Sequence, residues 1–561
     1  MDPAGATTTT ESDSARRMRP EIVLWLAGAS ALVVFLALEP YLSFALFGSD
    51  TGEYFRLTSA LVTTGHLPLG SAYLGWGTAY PDFPGIFLLS GASAGALGLS
   101  PLSALTWVIP SVAALSILPL FQLFRRLYPR DSVALLGATL ATVAMPRMFS
   151  LAHPAPLALG DFLCVAGWWM LVESRRDRRW FFPLGLASAA LVVTHHLSTY
   201  LFVVGGAGGI VLLELWRPRL WSGRFPAREW TFLAALSTAT LAYWFYGAPT
   251  FVSDVLVPGL GSSPLGTFVG LESVVLLAFL GTGALLLARR RVGGTKGSWV
   301  RVPTTRSLAR DALIIGLVVF GAIGVLVFVP LPGTSQTVAP AALLWFAPLL
   351  GAAMLAAGSR RALTTARLGP WSLTLLGAIG LSAIATLLLA EVGPSVAGFV
   401  NAIPPSRHAE YLFIPLGLLL AVGGARLALR AGDRGGRRAL LAASIGLVVL
   451  VAANAAIVYP PPSDFGGFQE GLTHGDAALW MWIGLGVPIT FVIASDHRLS
   501  SMIFGFDGNR ATWDSTPALF TGSNFSAALA ELNGSDAPHS IAPINAVAVD
   551  ATMYTGVALN P

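Results

Sequence analysis

The sequence predicts an all-α polytopic membrane protein of about 13 transmembrane helices, with a long first outer loop and a small α/β C-terminal outer domain. Three observations carry this expectation. The 561-residue chain is 54% hydrophobic but only 11% charged, against about 25% charged residues in an average soluble protein, and its mean hydropathy is +0.69. Apolar runs of roughly twenty residues, enough to cross a bilayer as a helix, recur along it. The basic residues gather in short groups between those runs: RRLYPR, SRRDRRW, RPRLWSGRFPAR, ARRRVGGTKGSWVR, GSRRALTTAR and LRAGDRGGRR. Such groups mark cytoplasmic loops, so the net charge of +5 reads as a topology signal and not as a nucleic-acid surface. Cys164, the only cysteine, excludes an internal disulfide or a Cys-based metal site.

Residues 1–20 are polar, Thr/Ser-rich and expected to be a disordered cytoplasmic tail. Their basic end, ARRMRP, precedes EIVLWLAGASALVVFLAL. No small-residue cleavage site follows, so this first span is read as uncleaved. Spans are expected near 22–39, 102–124, 132–149, 158–173, 181–197, 199–216, 229–247, 267–288, 312–330, 338–357, 371–391, 409–426 and 438–459. The apolar segment PGIFLLSGASAGALGLS at 84–100 is set apart as a juxtamembrane or re-entrant helix, because counting it as a span would put every later basic group outside. Without it, all 34 Lys and Arg except Arg56, Arg147, Arg407, Arg498 and Arg510 fall inside. Fourteen spans with a different odd helix is the alternative.

The spans form a transmembrane domain over 21–459, with its first outer loop at 40–101, and 460–561 follows as an extracytoplasmic domain. The protein is thus expected in the cell membrane with a cytoplasmic N-terminus and an outer C-terminus. In the tail, GDAALWMWIGLG and NFSAALAEL read as helices, PITFVIA and INAVAVD as strands. Asn524 and Asn533 begin glycosylation sequons.

Ionisable groups at spans mark function more often than chance, and here they fall on one side. Arg147, His153, Asp161, His195, His196, Glu272, Glu391, Arg407, His408 and Glu410 map to outer span ends or outer loops, as do Asp50, Glu53 and Asp82. They are expected to line one outward cavity. In FGSDTGEYFRL, residues 47–57, Asp50 and Glu53 also have the spacing of a helix cap. The helix would run through TGEYFRLTSALVTT to a stop at Gly65. His195 and His196 point about 100° apart on a helix, so interfacial packing competes with binding there. Arg407 could clamp a lipid phosphate or anchor a headgroup.

The order of these features resembles the GT-C superfamily of membrane glycosyltransferases, which includes oligosaccharyltransferase catalytic subunits, protein O-mannosyltransferases and lipid A aminoarabinose transferases. An acid pair follows the first span, and an aromatic amphipathic helix and the stretch GHLPLGSAYLGWGTAYPDFPGIFLLSG come next. TAYPDFPGIFLL is similar to the family's Pro-Pro-aromatic motif, and RHAEYLFIPLGLLL to its Arg-aromatic-Pro entry into a late span. The resemblance implies transfer of a sugar from a polyprenyl-phosphate donor to a protein, lipid or glycan acceptor on the outer face. It maps the first-loop acid onto Asp50, to activate the acceptor or help hold the departing phosphate. Two departures stand out. Where oligosaccharyltransferases carry a metal-holding Asp-x-Asp, SLAHPAPLALGD offers His153 and Asp161 but no acidic pair, and the Trp-Trp-Asp-Tyr-Gly motif is missing. Both weigh against oligosaccharyl transfer and against an obligatory metal, leaving Mg or Mn open as a cofactor.

The expected chemistry has Asp50 as base with Glu53 assisting. Arg407, His408 and Arg56 or Arg147 would hold the phosphate, and Tyr54, Trp76 and Tyr80 would offer stacking faces to sugar. Asp82, His153, His195, His196 and Glu410 complete the expected substrate contacts. The competing readings are a transporter or lipid flippase, and a scaffold whose outer domain binds a partner; for the scaffold, SDHRLS is an exposed strand end.

Overall fold

The computed structural model describes residues 18–68, 76–128, 130–216, 226–256, 264–292, 377–382, 407–456, 458–459, 470–512, 519, 524–534, 543–550 and 553. Within them the protein is mostly helical, with two small sheets. Helix α1 (Pro20–Leu38) opens with Pro20 and Glu21, which suit a first turn whose amides have no partner and whose dipole favours an acid. It is apolar on all sides, yet only Val33 and Ala37 are buried, as expected of a helix facing lipid.

Helix α2 (Thr51–Thr64) follows the first span and stops at Gly65, whose φ of 78° lets its amide reach the Leu61 carbonyl. The capping expectation for the acid pair is corrected. Asp50 occupies the N-cap position, but its side chain makes no capping bond, because partners from distant segments take its carboxylate. The segment set apart from the spans forms α3 (Gly85–Leu97), 13 residues long, too short to cross a bilayer and packed on α2.

The next helix, α4 (Pro101–Leu127), is apolar over 27 residues. It widens into a π turn at Ala104–Val108 ahead of Pro110, where proline offers no amide to the ladder. Helices α5 (Asp131–Val143) and α6 (Met145–Ala152) meet at 67°, the break falling just before Pro146, which suits a first turn and not an interior. Then come α7 (Pro156–Ser174), α8 (Phe181–Val192), α9 (His196–Trp216), α10 (Ala227–Ala242), α11 (Pro264–Val292) and α12 (His408–Ala456), the last bent at Gly436 with φ 68°. Where α12 crosses α5, a side chain on Gly417 would strike the Ala141 backbone, so a small residue sets how closely the helices approach. The main apolar core lies among α1, α4, α5, α7, α9 and α12.

Among the described residues, four helices are long and apolar enough to cross a membrane: Pro20–Leu38, Pro101–Leu127, Pro156–Ser174 and Glu272–Arg289, or five if the bent α5–α6 pair is one span. The span expected at 181–197 ends at Val192, and those at 409–426 and 438–459 are the two arms of α12. The spans expected at 312–330 and 338–357, and most of 371–391, lie outside the described residues.

Strand β1 (Leu46–Phe47), just after the first span, pairs antiparallel with β2 (Gly471–Leu472). Helix α13 (His474–Gly486) starts at a capping box of Thr473 and Asp476. Strands β3 (Val492–Ala494), β4 (Arg510–Thr512) and β5 (Ala546–Val547) form a parallel sheet in the order β4-β3-β5. Helix α14 (His497–Met502) and the π turn Ile503–Asp507 connect β3 to β4, and α15 (Phe525–Leu532), capped by Asn524, lies between β4 and β5 in sequence. The first strand is therefore central, and its carboxyl end sits where the order reverses, the position at which open parallel sheets bind ligands.

Candidate active site

Two chain segments meet at Asp50. The first is the start of α2; the second is α14, whose first residue, His497, follows the carboxyl end of β3. Glycines permit the contact: a Cβ on Gly52 would land in the Ser501 carbonyl, and one on Gly505 in the Gly52 carbonyl. The Glu53 amide donates to Ser501 Oγ at 3.2 Å. Arg56 donates to the Phe504 carbonyl at 3.2 Å and lies over its ring, while Phe55 stacks on Phe506 with centroids 4.3 Å apart.

At this seam His497 Nε2 lies 2.6 Å from Asp50 Oδ1. The Tyr80 hydroxyl donates to Oδ2 at 2.7 Å, and the Tyr54 hydroxyl reaches the same oxygen at 3.4 Å. The Asp50 side chain keeps 20% exposure and His497 8%, so the acid is held but reachable. Burial pushes the Asp50 carboxyl up, and His497 with Tyr80 more than offsets it, leaving the pKa below the ordinary carboxylate value. Asp50 is ionised at neutral pH.

Glu470 closes the other side. The Ser49 amide donates to its carboxylate at 2.8 Å, the Gly48 amide donates to its carbonyl at 3.1 Å, and His153 Nε2 stands 3.5 Å away. Burial raises its pKa, but His153 and the Ser49 amide draw it down to about 2. Arg407 donates to Glu410 at 3.1 Å, and its charge is within Coulombic reach of Glu470 and Tyr54. Glu470 is in turn within reach of Asp50. The acid after the first span and the cation opening a late helix thus share one neighbourhood. His195 lies within Coulombic reach of His196 and Arg407, and it joins Ser198 at 2.8 Å and, through it, Tyr411. His196 packs on Phe251 and Phe83.

Other sequence-derived residues stand apart from Asp50. Arg147 was placed with the outer residues, but it is 1% exposed, ion-paired with Asp161 and bonded to Ser116 inside the bundle. His408 is fully buried against Ser382 Oγ at 2.9 Å, which also meets Tyr200. Asp82 accepts the Phe251 amide at 2.8 Å and anchors the turn there. Arg56 staples α2 to the C-terminal domain. Glu53 is 1% exposed beneath the seam. Trp76 opens the 3-10 turn Trp76–Asp82, and its side chain lies outside the described residues.

Sequence reasoning missed His497 and Glu470. The reading of SDHRLS as an exposed strand end is corrected: Asp496, His497 and Arg498 are 0%, 6% and 1% exposed, with Arg498 bonded to Asp496 at 2.7 Å and Asp550 at 3.0 Å. Three consecutive ionisable residues one position after the run ITFVIA were the available signal. Among the described residues no three His, Cys, Asp or Glu side chains converge to hold a metal ion.

The fold is similar to that of a solved archaeal oligosaccharyltransferase. The Archaeoglobus fulgidus oligosaccharyltransferase, tethered to an acceptor peptide containing the NVT sequon, superposes with a TM-score of 0.55 at 15% identity, covering 91% of this chain and 68% of that one. Its apo form gives 0.53 at 13% identity with the same coverage. ArnT from Cupriavidus metallidurans in the apo state, at 15% identity over 90% of this chain and 91% of that one, has a TM-score of 0.25. No family model and no curated protein matches the sequence.

Proposed function

We propose that the protein is a membrane glycosyltransferase that moves a sugar from a polyprenyl-phosphate donor to an acceptor at the Asp50–His497 seam, on the outer face of the membrane. The observation that supports this reading most is an ionised, partly reachable carboxylate held by a histidine and two tyrosines, with a guanidinium in the same neighbourhood. The acceptor hydroxyl or amide N–H donates to Asp50 as its heteroatom closes on the anomeric carbon. The proton passes to the Asp50–His497 pair. The anomeric C–O bond to the phosphate breaks, and its electrons leave on the phosphate oxygen, whose growing charge Arg407 offsets. Tyr54 and Tyr80 fix the carboxylate and present ring faces beside it. Glu53 supports α2 from below and His153 holds Glu470; neither touches substrate in this scheme. No step is routed through a metal.

The test is incubation of vesicle-reconstituted protein with labelled polyprenyl-phosphate sugars and a mixture of peptide, lipid and glycan acceptors. Wild-type protein transfers label, and Asp50→Asn lowers the rate at least about 100-fold. Undiminished transfer by the variant removes Asp50 from the chemistry. Passage of intact donor across the bilayer without transfer supports the flippase reading instead.

A further inference from the structure

Helix α13 has an apolar face that nothing in the described structure covers. No ionisable residue occurs between Ala477 and Ser495. One side of the helix, through Ala477, Trp480 and Ile483, is buried in the core of the outer domain. The other side carries Met481, Trp482 and Leu485, exposed by 55%, 64% and 92%, and Ile489 just beyond it is 65% exposed. Positions 481, 482 and 485 share one side of the helix, and Ile489 follows its end. A helix that is apolar all round needs an apolar partner on both sides, and one of 13 residues cannot span a bilayer.

The occupant follows from where the helix is attached. The cluster that buries its inner face also receives Leu102, the second residue of the span Pro101–Leu127, and Ala45 and Leu46, which follow the span Pro20–Leu38. Helix α13 therefore sits at the level where two spans leave the bilayer. A charge-free stripe with a tryptophan at that level matches the composition of the membrane interface, where the indole ring is favoured and charged side chains are not. We propose that α13 lies in the outer leaflet through Met481, Trp482, Leu485 and Ile489, fixing the C-terminal domain, and His497 with it, at the membrane surface. The proposal does not depend on the reaction assigned to Asp50.

The test uses the full chain in phosphatidylcholine vesicles containing nitroxide-labelled acyl chains. Cys164 is fully buried and is replaced by Ala, and one fluorophore is attached in turn at Leu485→Cys, Met481→Cys, Leu277→Cys and Ser526→Cys. Leu277, 66% exposed on a candidate span, reports lipid contact; exposed Ser526 on α15 reports water. The expected result is quenching at both α13 positions several-fold above that at Ser526 and approaching that at Leu277. Quenching at Leu485 and Met481 no greater than at Ser526 overturns the proposal. Energy transfer between copies without lipid quenching also overturns it and assigns the face to a second copy of the chain.

Discussion

Two of the acid–base pairs that bridge separate segments have opposite surroundings. Arg147 and Asp161 join α6 to α7 with side chains 1% and 2% exposed. Asp50 and His497 join α2 to α14 with Asp50 20% exposed and with tyrosine hydroxyls on the second carboxylate oxygen. The first pair is buried inside the bundle, where it joins two helices. The second leaves part of its carboxylate exposed. Position at a span's outer end did not separate them; burial did.

The comparison can be broken by mutation. The largest effect is expected from Asp161→Ala, which leaves a buried guanidinium unpaired and costs about 3–5 kcal/mol. Thermal unfolding in detergent reads this loss, and replacing both partners with apolar residues restores most of it. A strut that tolerated loss of one partner would erase the distinction. Next is Glu470→Gln. Its folded pKa of about 2 lies below the ordinary glutamate value of 4.5, so its ionised form contributes roughly 3 kcal/mol. That contribution is complete above pH 4.5 and is lost as pH falls toward 2. The variant should therefore unfold earlier than wild type at pH 7, with the gap closing below about pH 3.

Gly52→Ala forces a methyl into the Ser501 carbonyl and is expected to cost about 1–3 kcal/mol. It should raise protease sensitivity at the seam while leaving the α6–α7 strut intact. The smallest effect is expected from His497→Gln, about a tenfold loss of transfer (~1.4 kcal/mol). Because His497 lowers the Asp50 pKa, its removal raises that pKa, and the acid limb of kcat/KM moves to higher pH. An unmoved limb would mean that Asp50 is not the group titrating in the reaction.

Local signals were legible in the sequence. The apolar runs that lie within the described residues, the Gly65 stop, the short helix after Pro84 and the helices GDAALWMWIGLG and NFSAALAEL appear as α-helical structure or its boundaries. Each depends on neighbours within a few turns. Asp50 was singled out, but its geometry was misread, since a cap needs only residues three apart whereas its actual partner is His497. Glu470 had no pattern at all; it matters because Ser49, 421 positions earlier, donates to it. Arg147 and His408 were grouped with the site because sequence gives a residue's depth along a helix and not the direction its side chain takes around it.

The β1–β2 ladder and the Gly52–Gly505 contact have a bearing on biosynthesis. They tie the start of the chain to its last hundred residues, so a nascent protein that has already threaded its spans still has nothing opposite Asp50. The Asp50–His497 contact therefore forms late, once the C-terminal segment has been made and has docked on the start of α2.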